Sequence, residues 1–130
     1  HVDTSLLTLV TEAGEPGLAL HSRKLGGWVR ADMPQATLLV NTGEILHAMT
    51  NDRWPSARHF VINPSQRTQR MSLAFFLSPS PAVPMSVVPT CVVDAEPVKY
   101  RPTTWIEGRG AERGGFLAPA VATSETGQGV

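Results

Sequence analysis

The sequence predicts a mainly β protein. Between Leu6 and Phe76 its apolar residues come in short runs separated by turn signals, the pattern of strands and not of a helical bundle. Within that region, stretches such as Ala57-Arg58-His59-Phe60-Val61-Ile62 suit a pleated sheet, where successive side chains take opposite faces. Beyond Ser78 the character changes, because Pro79, Pro81, Pro84, Pro89, Pro97 and Pro102 each remove a ladder donor and prevent regular pairing.

The elements follow in order. Leu6-Leu7-Thr8-Leu9-Val10 reads as a buried strand. Glu15-Pro16-Gly17 turns the chain into Leu18-Ala19-Leu20-His21, and Gly26-Gly27 turns it again into Trp28-Val29, giving a hairpin or meander. Ala36 to Val40 has the strongest strand pattern, ended by Asn41-Thr42-Gly43-Glu44, a segment tolerant of tight turns. Ile45 to Asn51 fits either a short strand or a helical turn. Ala57 to Asn63 and Met71 to Leu77 read as further strands joined by the polar segment Pro64 to Gln69, for about seven strands by residue 77. Residues 1–80 are thus expected to form the core. Residues 81–130 should form a Pro-rich wrap over it, with one short helix near 103–113 beside Trp105 and a frayed end from Thr123 to Val130.

Composition narrows the functional classes. A chain of 130 residues holds one domain or a piece of one. Eleven basic and eleven acidic side chains give a net charge of zero, so no global field draws nucleic acid or an anionic membrane. Cys91 is the only cysteine, which excludes an internal disulfide framework and a thiolate zinc site and suggests a reducing, cytoplasmic setting. No apolar run nears the roughly 18 residues of a membrane span, and the first residues lack the plan of a secretory signal.

Chemistry concentrates at three places. His1 and Asp3, two apart, project from one face if the chain is extended there, and His59 comes from a distant strand whose alternation places it with Val61. Two histidines and a carboxylate on one face are the donor set of non-haem Fe(II) oxygenases, in which three iron positions stay open. Alone, a strand histidine such as His59 reads more readily as a satisfied core or surface residue than as a ligand. Arg70 and Ser72 also share a face. An arginine turned into a sheet interior demands an anionic partner, either a ligand carboxylate or a buried Asp or Glu, whereas an outward Arg70 would be an ordinary solvated residue.

Taken together these residues carry a resemblance. Fifty-five residues separate Asp3 from His59 and ten separate His59 from Arg70. This order is similar to that of the Fe(II)/2-oxoglutarate-dependent dioxygenases, in particular the isopenicillin N synthase-like branch. His1 to Leu9 resembles its HxDxxxLTLL segment, Gly17-Leu18-Ala19-Leu20 its GLQV strand, and Trp28-Val29 its W-[IV] strand. Leu39 to Glu44 resembles its VVNxGD turn, Thr50 to Ser56 its TN-x-R-[FW]-x-S stretch, and Arg70-Met71-Ser72 its RxS. Phe60 stands where the family usually has arginine, Glu44 replaces the aspartate of the turn, and Pro97 to Tyr100 only faintly follows the closing PxxYxE segment.

The resemblance implies a double-stranded β-helix (jelly-roll) core, incomplete on its amino-terminal side. His1, Asp3 and His59 would be ligands to Fe(II), and Arg70 with Ser72 would clamp the distal carboxylate of 2-oxoglutarate. The implied reaction is the O₂-dependent hydroxylation, desaturation or ring formation of a small organic substrate, with release of succinate and CO₂ and with ascorbate as a candidate reductant. The remaining amino-terminal half of the same protein is the implied partner; neither nucleic acid nor a membrane is. Two alternatives stay open: an inactive or metal-free β-sandwich interaction fragment, and a copper monooxygenase in which the amine and imidazole of His1 form a histidine brace with His47 or His59. Trp105 and Phe116 are candidate lid or core residues, and His21 and His47 are expected to be structural or exposed.

Overall fold

The computed structural model describes residues 1–62, 69–93, 96–110, 116 and 120. Six strands form two antiparallel three-stranded sheets: β1 (Leu7–Gly14), β2 (Leu18–Ser22), β3 (Gly27–Arg30), β4 (Leu39–Thr42), β5 (His59–Val61) and β6 (Arg70–Leu77). One sheet has the order β4-β1-β6 and the other β3-β2-β5. The chain thus passes repeatedly from one sheet to the other, the double-wound arrangement of a double-stranded β-helix, with side chains from both sheets lining one shared cleft.

Several boundaries differ from the expectation. Strand β1 runs on to Gly14, because Thr11 and Glu12 continue the alternation against β6, with Glu12 opposite Ser72 and Gly14 opposite Arg70. The strand predicted over Ala36 to Val40 instead begins at Leu39. Ala36 adopts a φ of 58°, and that left-handed backbone cannot extend a strand. Ile45 to Asn51 resolves into the helix α1 (Glu44–Met49), with Ile45 and Ala48 buried. The strand predicted from Ala57 is confined to His59–Val61, and the total is six among the described residues, not about seven. Of the expected segment Pro64 to Gln69 all but Gln69 lies outside the described residues, as does the tail from Thr123.

After β6 the chain packs back against α1. Met85 and Thr103 exchange backbone hydrogen bonds of 2.8 and 3.0 Å, and the amide of Val88 donates to the carbonyl of Met49 at 2.8 Å. A 3₁₀ turn covers Pro89–Cys91 and a second helix, α2, covers Trp105–Gly110. Ile45, Met85 and Phe116 form a buried cluster, with Leu6, Met49 and Trp105 packed around it. Phe116 is therefore a core residue and not part of a lid.

Cross-strand partners share a face, so Leu7, Leu9 and Thr11 of β1 lie on the outer side with Leu77, Phe75 and Leu73 of β6. That side is largely uncovered: Met71, Leu73 and Phe75 are all more than three-fifths exposed. Among the described residues, β4 and β6 are both edge strands, and no helix is long and apolar enough to cross a membrane.

Candidate metal centre and its cleft

The inward side of β1 carries Thr8, Val10 and Glu12, level with Phe76, Ala74 and Ser72 of β6. Facing them, β2 and β5 contribute Leu18, His59 and Val61, and His1, Asp3, Asn41 and Arg70 complete the lining of a single cleft, which Glu12 itself does not border.

His1 and Asp3 precede β1 and reach the cleft because the chain is tied down on both sides. The backbone nitrogen of His1 donates to the carbonyl of His59 at 3.1 Å, and the amide of His59 donates back to the carbonyl of His1 at 3.0 Å. Asp3 is fixed through its own carbonyl, which accepts from the amide of Glu44 at 2.8 Å. This contact depends on Gly43, since a β-carbon there would overlap the carbonyl oxygen of Ser5 and lie 2.8 Å from that of Asp3. The loop after β4 thereby sets the position of the carboxylate.

The three side chains converge. Asp3 Oδ1 lies 3.4 Å from His1 Nε2 and 3.5 Å from His59 Nε2, and one donor atom from each of the three residues falls within 4.8 Å of the others. The two imidazoles meet edge to face with centroids 4.3 Å apart. His59 Nδ1 lies 3.0 Å from the carbonyl oxygen of Ala57. A carbonyl only accepts, so Nδ1 holds the proton and Nε2 presents its lone pair to the cluster. Asp3 is 7 % exposed, and its other oxygen, Oδ2, accepts from Thr8 Oγ1 at 2.7 Å and from Asn41 Nδ2 at 3.2 Å. Ser5 Oγ extends this chain to Thr8 at 2.9 Å. The donor set, the histidine tautomer and the anchored carboxylate all fit a divalent ion, which His1, Asp3 and His59 would hold.

Arg70 points inward, and its solvated alternative is set aside. Its side chain is 11 % exposed, and the anionic partner is a buried carboxylate of the chain itself, Glu12. Arg70 Nη2 donates to Glu12 Oε2 at 2.7 Å, Nε donates to the same oxygen at 3.2 Å, and Nη1 reaches Ser72 Oγ at 3.2 Å. Gly17 makes room for the guanidinium: a β-carbon there would lie 3.1 Å from both Cδ and Nε of Arg70. Thr8, Asn41, Ser5 and Glu12 were not anticipated from the sequence. Their one signal was the pair of polar residues Thr8 and Glu12 on the inward face of β1, level with Phe76 and Ser72 of β6.

The copper brace is not assembled. The amine of His1 is engaged by the His59 carbonyl, and His47 is committed to other partners. Its Nδ1 accepts from the amide of Ser56 at 3.1 Å, and its Nε2 lies 2.7 Å from Asp52 Oδ1 and 3.2 Å from Tyr100 Oη. His21 stacks edge to face on Trp28.

Comparison with known proteins places this geometry in context. Residues 1–79 match the family model described as the 2OG-Fe(II) oxygenase superfamily. A gibberellin 3-beta-dioxygenase 2-3 of Triticum aestivum is 30% identical over 123 residues, 94% of this chain and 32% of the relative. A 2-oxoglutarate-Fe(II) type oxidoreductase, hxnY of Emericella nidulans, is 34% identical over 104 residues, 80% of this chain and 30% of the relative. Among solved structures, the rice dioxygenase for auxin oxidation superposes with a TM-score of 0.76 at 26% identity, covering 84% of this chain and 37% of that one. The chain spans about a third of the length of the curated relatives it matches.

Proposed function

Because the chain belongs to the 2OG-Fe(II) oxygenase superfamily, we propose that the protein carrying it oxidises a small organic substrate with Fe(II), 2-oxoglutarate and O₂. The outcome would be hydroxylation, desaturation or ring formation, with succinate and CO₂ released. One observation carries the reading: the His1, Asp3 and His59 cluster and the inward Arg70 with Ser72 line the same cleft. In this reading His1, Asp3 and His59 hold the iron, which supplies the redox chemistry of oxygen activation. Ala57 keeps His59 in the ligating tautomer, and Thr8 and Asn41 hold Asp3 so that one oxygen faces the ion. Arg70 and Ser72 receive the distal carboxylate of the cosubstrate, for which a planar guanidinium is matched. Val10, Leu18, Val61, Ala74 and Phe76 give the cleft an apolar wall that disfavours water.

Val61 and Phe76 are each about half exposed, as is much of the outer face of β6. We read these apolar surfaces as seats for the remainder of the protein, which would complete the substrate pocket. The lone free cysteine, Cys91, favours a cytoplasmic setting. The test is an anaerobic Fe(II) titration of the full-length protein with 2-oxoglutarate, following the visible charge-transfer band of the chelate. A saturable band supports the assignment, and none at saturating iron would sink it.

A further inference from the structure

We propose that Glu12 tunes the cosubstrate site, lowering the affinity of Arg70 for an incoming carboxylate by neutralising it in advance. The inference rests on the reading of Arg70 as the cosubstrate's anchor. Glu12 and Arg70 form an inward-facing ion pair whose side chains are 6 % and 11 % exposed, so solvent screens it little. Its geometry is lopsided. Both Nη2 and Nε of Arg70 donate to the single oxygen Oε2, while Oε1 is buried with no hydrogen-bond partner among the described residues. A carboxylate tuned only for stability would meet the guanidinium with both oxygens.

The arrangement leaves part of the guanidinium usable. Glu12 borders a neighbouring cleft with Ala13 and Gly14, whereas Arg70 and Ser72 border the cleft of the metal cluster. The Nε and Nη2 edge is taken by Glu12, and Nη1 is directed to Ser72. The remaining hydrogens on Nη1 and Nη2 form the second edge, at which a planar carboxylate can dock. A ligand carboxylate there would share one guanidinium with Glu12, and the two negative groups would repel one another at short range in a poorly screened site. Glu12 thus both holds Arg70 in place and weakens its hold on the cosubstrate.

The test uses full-length protein loaded anaerobically with Fe(II), and titrates 2-oxoglutarate by calorimetry and by the charge-transfer band. Glu12→Gln removes the charge and keeps the shape, and should lower the Kd for 2-oxoglutarate about ten- to a hundredfold without changing the affinity for Fe(II). Glu12→Met, which is neutral but cannot accept from Arg70, loses the positioning as well as the charge and should tighten 2-oxoglutarate less than Glu12→Gln does. In an Arg70→Ala background the Glu12 substitutions should give no comparable tightening. An unchanged or raised Kd in Glu12→Gln, with Arg70→Ala still weakening binding, overturns the inference and leaves the site assignment standing. If Arg70→Ala has no effect either, the anchor assignment fails and the inference fails with it.

Discussion

Thr8 Oγ1 donates to Asp3 Oδ2 at 2.7 Å, and through this bond a side chain of β1 holds a carboxylate that lies outside any strand. Removing the hydroxyl while conserving volume, Thr8→Val, should leave the fold intact but free the carboxylate to rotate. We expect Fe(II) affinity to fall about 10- to 100-fold, the usual cost of losing such a supporting bond. Anaerobic metal titration measures the effect, and circular dichroism checks the fold. Unchanged affinity would show that Asn41 and burial suffice to hold Asp3.

Gly17 offers a test of the opposite end of the cleft. Its β-carbon position is 3.1 Å from Arg70 Nε and would also overlap the carbonyl oxygen of Ile62, which accepts no compromise because it is backbone. Gly17→Ala should therefore destabilise the protein by about 1–3 kcal/mol and weaken 2-oxoglutarate more than Fe(II). Chemical denaturation gives the first quantity and paired titrations the second. Equal losses for both ligands would indicate general unfolding in place of a displaced Arg70.

The reach of the sequence follows from these same residues. His1, Asp3, His59 and Arg70 were legible as candidates because their order and spacing resemble a family motif; alternation assigns a face only to His59 and Arg70, since His1 and Asp3 lie before β1. Thr8, Asn41 and Glu12 were not, since a polar residue in a strand reads as solvent-facing until the interior is known to be a polar cleft. The six-residue helix α1 is too short for periodicity to separate it from a strand. Ala36 hid its left-handed turn, because alanine carries no signal for positive φ. Arg70 alone read as an outward, solvated arginine, with a ligand carboxylate or a buried acid as the partner if it faced inward, and only the fold brings Glu12 beside it.

Asn51 joins α1 to the segment after β6. It is 1 % exposed, its Nδ2 donates to the carbonyl of Pro97 at 3.2 Å, and its Oδ1 accepts from the amide of Lys99 at 2.9 Å. Asn51→Ala strands two backbone groups and leaves alanine at a φ of 52°, so a loss of about 3 kcal/mol is expected. The prediction is read as a fall in Tm together with faster proteolysis near Pro97. A Tm within a degree or so of the parent would mean that water replaces both bonds.

Glu44, the first residue of α1, and Asp52, just beyond its end, should move stability with pH in opposite senses. Burial works against the charge of Asp52, but hydrogen bonds from Tyr100 and Lys99 and the charge of Lys99 outweigh it and hold its pKa below the ordinary 3.8. A carboxyl with a lowered folded pKa contributes stability that is complete above its ordinary value and is lost as pH falls through the folded one. Glu44 is raised above its ordinary 4.5, chiefly by burial, so its contribution is complete below that value and lost as pH rises through the folded one. Tyr100, raised by burial and by Asp52, stays protonated and donating throughout this range. Asp52→Asn, which tolerates the φ of 72° at that position, should therefore destabilise at pH 7 and become progressively less harmful below about pH 4. Glu44→Gln should stabilise at pH 7, and its benefit should vanish over the same acid range. Tm measured from pH 3 to 7 for both variants checks the pair, and parallel curves for parent and Asp52→Asn would remove Asp52 from the acid limb.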